Sequence, residues 1–222
     1  MFSGNTTQLI ALAALPVLFG ITLHEAAHGW VASKLGDQTA KMLGRVSLNP
    51  IKHIDIFGTL LLPLLMLMVG GVIFGWAKPV PITAQNLRRP RRDMALVAFA
   101  GPLANLVMAL LWALIAKIST LLLTHSTTGF ILESAQFFSL TGRLGISLNV
   151  VLFTLNLLPL PPLDGSRLLS SLLPSRWAAF YDQLEPWGLW ILLALLFLGV
   201  LKFILFPPIE FLTGWITAIA GL

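Results

Sequence analysis

Long apolar runs alternate with shorter polar segments along the whole chain. A helix needs about 20 apolar residues to cross a bilayer, and several runs reach that length with few or no charged residues. They extend over about 7–33, 56–77, 94–116, 144–163 and 187–206. A last apolar piece, 209–222, is shorter than a span needs. This pattern predicts an all-α polytopic membrane protein with about four to six transmembrane helices.

The composition supports the same fold class. Hydrophobic residues make up 57% of the 222 residues and charged residues 10%, whereas ordinary soluble domains carry about 25% charged residues. A soluble fold of this size cannot bury so much apolar surface, which excludes a cytosolic enzyme and a disordered chain. The absence of cysteine excludes a disulfide-linked secreted scaffold. Since the longest polar stretches, 34–55 and 78–93, are too short for an extramembrane domain, we expect one membrane domain over 1–222, with C-terminal helices at about 187–222.

The first apolar run contains the sequence His24-Glu25-Ala26-Ala27-His28. Positions i and i+4 share one face of a helix, so the two imidazoles can bind one Zn²⁺. The adjacent Glu25 can then accept a proton from water at the metal. Ionisable residues at membrane depth are costly and usually functional; the alternative is two satisfied histidines and a glutamate at a helix end that faces the headgroups. The motif favours a site for one zinc ion per chain.

A catalytic zinc ion needs a third protein ligand, and Asp164 is the best candidate among the few acidic residues. It follows the fourth apolar run, where Pro159, Pro161 and Pro162 break the helix and can open a polar site within the membrane. The alternative is that Asp164 caps the helix that begins at about Ser166. The residues alone leave both interpretations open.

The distribution of basic residues decides whether Asp164 can reach the histidines. The N-terminal tail has no Lys or Arg, whereas basic residues follow the first run, so the positive-inside rule places the N-terminus outside and the histidine end of that run near the cytoplasmic face. If 56–77 crossed the membrane, Asp164 would lie on the order of 30 Å from the histidines. If 56–77 enters and returns, Asp164 reaches the depth of His24 and His28. We therefore expect a re-entrant or strand-containing segment near 56–77, which Pro63 and several glycines interrupt.

Three ordered motifs resemble the signatures of site-2 proteases, the intramembrane zinc metalloproteases of peptidase family M50. They are His24-Glu25-x-x-His28, Gly101-Pro102-Leu103-Ala104-Asn105 and Asn156…Pro159…Leu163-Asp164-Gly165. The resemblance covers about residues 21–169, and the segments 45–50 and 75–80 look like those of the short prokaryotic members. The chain has no room for the PDZ or CBS domains that some relatives carry, so their means of regulation cannot be transferred to it.

The resemblance implies a role for each residue of the site. His24, His28 and Asp164 would bind zinc, and Glu25 would be the general base. The implied activity is hydrolysis of peptide bonds within or near transmembrane segments of membrane-protein substrates. The implied location is the cell membrane of a prokaryote, with the active site toward the cytoplasmic side.

Two asparagines in these motifs have two interpretations each. By the resemblance, Asn156 and Asn105 are candidates for polarising the scissile carbonyl or for holding the unwound substrate. The alternative for both is hydrogen bonding between helices, which is often worth only about 1 kcal/mol.

Two other classes of function compete with the protease. A metal transporter or sensor would use the same ligands, but a transport path needs polar groups that continue to the far face, and the other runs offer mainly Asn105, Asn149 and Asn156. A non-catalytic scaffold for transmembrane partners is the second alternative, which the intact Glu25 disfavours. The basic run 88–92 is expected to contact anionic lipid rather than nucleic acid. The expected partners are therefore transmembrane substrates and the lipid bilayer, and the sequence leaves the oligomeric state open.

Overall fold

The computed structural model describes residues 6–61, 75, 77–125 and 129–222. Within these residues the chain is all-α and contains no strand, which confirms the predicted fold class. The α-helices are α1 (Thr6–Leu35), α2 (Thr39–Met42), α3 (Pro90–His125), α4 (Gly129–Asn156), α5 (Asp164–Leu172), α6 (Ser175–Asp182), α7 (Gly188–Phe197) and α8 (Val200–Ala220). Short 3₁₀ turns at Pro50–His53, Ala84–Asn86 and Glu185–Trp187, and a π-helical turn at Ile56–Leu61, complete the helical elements of this part.

Four of these helices, α1, α3, α4 and α8, are long and apolar enough to cross a membrane. Most of their surface is apolar and exposed, as expected for helices that face lipid rather than water. The number lies within the predicted range, and the polytopic architecture is confirmed.

The bounds of the predicted span 144–163 are wrong, because α4 begins at Gly129 and ends at Asn156. Glu133 and Arg143 lie on the exposed surface of α4, so these charged residues do not interrupt the helix. The proline-rich segment after Asn156 ends it, since proline removes a backbone donor and clashes with the preceding turn.

The predicted span 187–206 is also wrong. Gly199, with a φ of 72°, adopts the left-handed conformation between α7 and α8, which glycine reaches without a steric cost. The helix that follows continues to Ala220 and contains most of the piece 209–222, which the hydropathy pattern predicts to be too short for a span.

Small residues allow α3 and α4 to pack closely. A Cβ atom at Gly145 would lie 2.4 Å from the Trp112 ring, and one at Gly142 would lie 2.8 Å from the Cβ atom of Ala116. Such contacts between small residues are the usual basis of helix packing in membranes. Side chains of α3, α4 and α8 form the core around this contact, namely Met108, Ala109, Trp112, Ala113, Ile146, Val150 and Ile216. Helix α1 lies against α3 and α4, and α5 packs on α3, so these four helices surround the site.

Most of the predicted re-entrant or strand-containing segment near 56–77 lies outside the described residues, since 62–74 and 76 are not among them. Its beginning is the π-helical turn Ile56–Leu61, and the chain continues from Ala77 without regular secondary structure up to the 3₁₀ turn at Ala84–Asn86. The re-entrant course of this segment stays a prediction.

Candidate metal centre

His24 and His28 lie one turn apart on the same face of α1. Both are buried, with 9% and 5% of their surface exposed. Their Nε2 atoms lie 3.1 Å from each other, as the i, i+4 spacing predicts for a pair of ligands.

Asp164 joins the two histidines. Its Oδ2 atom lies 3.1 Å from His24 Nε2 and 3.2 Å from His28 Nε2. Asp164 is the first residue of α5, whose N-cap is Leu163, so the carboxylate faces the imidazoles and does not cap the helix. The start of α5 packs tightly on the turn that follows α4, because a Cβ atom at Gly165 would lie 2.3 Å from the carbonyl oxygens of Leu157 and Leu158. A glycine at this position therefore allows Asp164 to reach α1.

Hydrogen bonds at the Nδ1 atoms establish which nitrogen of each imidazole carries the proton. His28 Nδ1 lies 2.7 Å from the carbonyl oxygen of Val97, which can only accept, so Nδ1 donates. His24 Nδ1 lies 2.7 Å from Asn105 Oδ1. When the imidazoles are neutral, both Nε2 atoms therefore present lone pairs.

The orientation of the Asn105 amide follows from its neighbours. Its Nδ2 donates to the carbonyl oxygen of Gly20 at 3.1 Å and to Asn149 Oδ1 at 3.2 Å. The amide of Asn149 is oriented in turn, because its Nδ2 donates to the carbonyl oxygen of Gly145 at 2.9 Å. Asn105 therefore directs its oxygen at His24, and this chain of hydrogen bonds links α4 through α3 to the metal site on α1.

The three converging atoms fit a zinc ion. Zinc binds histidine nitrogen and carboxylate oxygen at about 2.0–2.2 Å in tetrahedral geometry, which separates two ligand atoms by about 3.3 Å. The distances of 3.1, 3.1 and 3.2 Å within this group are close to that value. Among the described residues no hydrogen-bond donor satisfies the buried Asp164 Oδ2, so a cation is the missing partner of three lone pairs. No other cluster of three such ligands occurs in the described part of the chain.

An aspartate carboxyl group, with a usual pKa of about 3.9, is ionised at neutral pH. With this carboxylate ionised and both imidazoles neutral, the site offers one negative charge and two neutral nitrogens, a donor set found in catalytic zinc sites.

Gly101 of α3 lies directly against the histidine pair. A Cβ atom at this position would lie 2.3 Å from His28 Nε2 and 2.7 Å from His24 Cε1. The Gly101-Pro102 pair therefore lets α3 approach the site until the Val97 carbonyl and the Asn105 side chain reach the two Nδ1 atoms.

Glu25 follows His24 and points to a different face of α1. Its half-buried carboxylate accepts a hydrogen bond at Oε2 from the backbone N–H of Val80, with an N···O distance of 2.8 Å. The base expected from the sequence thus follows the candidate ligand His24 directly along α1 and is held by the segment that leads into α3.

Asn156, the last residue of α4, lies apart from this hydrogen-bond network. Its Nδ2 donates to the carbonyl oxygen of Leu152 in its own helix at 2.9 Å. Among the described residues no hydrogen bond connects Asn156 with His24, His28 or Asp164. Its proposed contact with substrate stays a prediction.

Three partners of the site were not expected from the sequence: the Val97 carbonyl, the Val80 N–H and the Asn149 side chain. The first two are backbone groups, which leave no signature in residue type. Asn149 did leave a signal, since it lies seven residues before Asn156 and therefore on a similar face of α4.

Comparison with known proteins connects this arrangement with a family. The model of peptidase family M50 matches residues 12–199. The Bacillus subtilis protein named "Putative zinc metalloprotease YwhC" is 39% identical over 203 residues, which cover 91% of this chain and 88% of the relative. The Mycolicibacterium smegmatis protein named "Putative zinc metalloprotease Rip2" is 32% identical over 81% of this chain and 64% of its own length. No solved structure matches the chain. Since the family model covers most of the 222 residues, the chain belongs to peptidase family M50.

Proposed function

We propose that the chain is an intramembrane zinc metalloprotease, which hydrolyses peptide bonds within or near transmembrane segments of membrane-protein substrates. The observation that carries this proposal is the convergence of Asp164 with His24 and His28, which lie with Glu25 on a helix long and apolar enough to cross a membrane. Family membership and the zinc metalloprotease names of the relatives support the same activity.

Each residue of the site has a separate task in this reaction. His24, His28 and Asp164 hold the zinc, which when bound supplies Lewis acidity that activates water and polarises the scissile carbonyl. Glu25 accepts the proton of the attacking water and passes it to the leaving amine. The substrate helix must unwind before its backbone can react, because helical amides are shielded by their own hydrogen bonds.

We also propose that the N-terminus is outside and the site lies toward the cytoplasmic side. Residues 1–33 contain no Lys or Arg, whereas basic residues follow the first apolar run within 34–52 and occur again at 88–92. By the positive-inside rule this distribution supports the proposed orientation. Because the chain contains no cysteine, a single cysteine introduced at Arg88 gives one site for an impermeant thiol reagent. We expect labelling only from the cytoplasmic side, and labelling from outside would contradict the orientation.

The zinc content of purified wild type and of two variants tests the proposed chemistry. We expect about one zinc per chain in the wild type, a clear loss in Asp164→Asn, and retention in Glu25→Gln, which keeps the ligands but removes the base. Cleavage of single transmembrane segments in reconstituted vesicles should be lost in both variants. Full cleavage by Glu25→Gln would refute the proposed role of Glu25. Zinc uptake into sealed vesicles without cleavage would favour a transporter instead.

A further inference from the structure

A segment without α-helix or strand covers the face of α1 that carries Glu25. We call this segment, residues 77–87, the strap; it ends in the 3₁₀ turn Ala84–Asn86. The Val80 N–H donates to Glu25 Oε2, and the Val80 side chain is buried against Gly29, one turn further along α1. A Cβ atom at Gly29 would lie 3.1 Å from Val80 Cγ1 and 2.9 Å from Val46 Cγ2. Since Glu25 and Gly29 are spaced i, i+4, the strap contacts two successive positions of one helix face.

The prolines on either side of Val80 explain why its N–H is the group that donates to Glu25. Pro79 and Pro81 have no backbone N–H, so Val80 carries the only backbone donor of the three residues. A residue before proline is restricted to extended conformations, which applies to both Lys78 and Val80. The sequence therefore favours an extended backbone at 78–81, and the single N–H of Pro79, Val80 and Pro81 donates to Glu25.

The first end of the strap is fixed by Arg45. The guanidinium Nη2 of Arg45 lies 3.0 Å from the Lys78 carbonyl oxygen and 3.3 Å from that of Pro79, and its Nη1 donates to the Lys52 carbonyl. The Lys78 N–H donates to the His53 carbonyl oxygen at 2.9 Å. One arginine thus connects the loop after α2 with the two residues that precede Val80.

The second end is fixed by Asp37. This fully buried carboxylate accepts hydrogen bonds from the Thr83 N–H at 2.7 Å and from Asn86 Nδ2 at 3.1 Å, as well as from the N–H and hydroxyl of Thr39. The Arg88 N–H, just beyond the strap, donates to the Leu35 carbonyl at the end of α1. Val80 therefore lies between two fixed points.

We propose that the strap is a stationary positioning element for the general base, in which the Val80 N–H holds one carboxylate oxygen of Glu25 and Arg45 keeps Val80 in place. The inference rests on the proposed function of Glu25. A free glutamate side chain samples several rotamers, whereas a hydrogen bond at Oε2 restricts it and leaves Oε1 for proton transfer. Misplacing a reacting group by about 1 Å can cost about 100-fold in rate, so this restraint is valuable to catalysis. Arg45 is a positioning residue, because it acts on Glu25 only through the strap.

Amide hydrogen exchange tests the contact without any need for protease activity. The peptide that spans 78–82 contains few exchanging amides, because Pro79 and Pro81 contribute none. In the purified full chain we expect slow exchange at Val80 in the wild type, faster exchange in Glu25→Ala, and slow exchange in Glu25→Gln, whose amide oxygen still accepts. Equal exchange in all three proteins would overturn the proposal.

A matched pair of variants tests the function of the contact between Arg45 and the strap. Arg45→Gln should lower kcat about 10- to 100-fold with little change in KM and about one zinc per chain retained, and Arg45→Lys should recover part of the loss. Lys52→Gln removes the same charge from the same loop, but Lys52 Nζ donates to the Gly44 carbonyl and not to the strap, so its kcat should match the wild type. An unchanged kcat in Arg45→Gln, or loss of zinc together with activity, would overturn the proposal.

A disulfide distinguishes a stationary strap from a gate. The hydroxyl oxygens of Thr39 and Thr83 lie 3.1 Å apart, and the chain has no other cysteine to compete with a pair introduced there. Thr39→Cys/Thr83→Cys should cleave substrate equally well oxidised and reduced. Loss of cleavage on oxidation with recovery on reduction would show that the strap must leave, and would overturn the proposal. Absence of cleavage by the wild type would refute the proposed function alone, since the exchange experiment still decides the contact.

Discussion

Substitution of Gly101 by alanine should empty the metal site without unfolding the protein. The added Cβ atom would lie 2.3 Å from His28 Nε2 and 2.6 Å from His28 Cε1. Normal contact distances between such atoms are about 3.5 Å, so the imidazole or α3 must move by about 1 Å. Zinc–ligand distances normally stay within about 0.2 Å of their standard values, so a movement of this size takes His28 out of binding geometry. Because removal of a partner that only orients a zinc ligand already costs about 10- to 100-fold in metal affinity, we expect at least that loss.

The assay is zinc per chain together with chelator competition, measured beside thermal unfolding. Two other glycines provide controls. At Gly142 the added Cβ atom would lie 2.8–2.9 Å from Ala116, so Gly142→Ala disturbs the packing of α3 on α4 at a distance from the site. At Gly214 nothing lies within 4 Å, so Gly214→Ala is an unhindered replacement within a helix.

We expect three different results from these glycine variants. Gly101→Ala should lose zinc and activity, Gly142→Ala should lower the unfolding temperature while the folded fraction keeps zinc, and Gly214→Ala should change neither. Wild-type zinc affinity in Gly101→Ala would refute the reasoning, because it would mean that α3 can retreat from the histidines at no cost to the site. Equal zinc loss in Gly142→Ala would show that general packing determines metal binding.

Two further predictions concern polar residues. Asn105→Ala should lower zinc affinity about 10- to 100-fold in chelator competition, because His24 loses the acceptor that orients its ring; wild-type zinc affinity in this variant would contradict that role. Asn156→Ala should keep zinc and alter only the kinetics of cleavage, as the proposed contact of Asn156 with substrate requires. Asp37→Asn should destabilise the protein by a constant amount above about pH 4 and by progressively less as the pH falls further. Burial raises the pKa of Asp37, but hydrogen bonds from Thr39 and Thr83 lower it overall. Its contribution is therefore fully present above the unfolded pKa and is lost as the pH falls through the folded pKa. The unfolding temperatures of the wild type and of Asp37→Asn, compared between pH 7 and pH 3, measure this contribution. A difference that stays constant over this range would contradict the prediction.

The cluster of His24, His28 and Asp164 could be predicted, because it depends on helix periodicity and on the distribution of charge along the chain rather than on details of packing. His24 and His28 are brought together by helix periodicity alone. Asp164 required a second argument, the bias of basic residues, which uses the whole chain but needs no knowledge of packing. The two lines of reasoning meet in one cluster, with Oδ2 of Asp164 within 3.2 Å of both imidazoles.

The errors in the spans arise from features that average hydropathy does not register. Gly199 is apolar by composition, yet its left-handed backbone separates two helices inside one continuous apolar run. Glu133 and Arg143 are charged and therefore interrupt the apolar run from which the span is predicted. They lie on the exposed side of α4, however, and do not interrupt the helix itself. The partner of His28 Nδ1 was equally hidden, since the Val97 carbonyl belongs to the backbone of a helix that only tertiary packing brings to His28.

The motif on α1 carries the candidate metal ligands and the proposed base on neighbouring faces of one helix. Successive residues on a helix are about 100° apart, so the side chains of His24 and Glu25 leave α1 in different directions and pack against different elements. The histidine face meets α3 and α5, and Gly101 allows the approach. The glutamate face meets the strap, and Gly29 allows that approach. A change on one face therefore need not affect the other, which is why zinc content and turnover must be measured separately for every variant of this site.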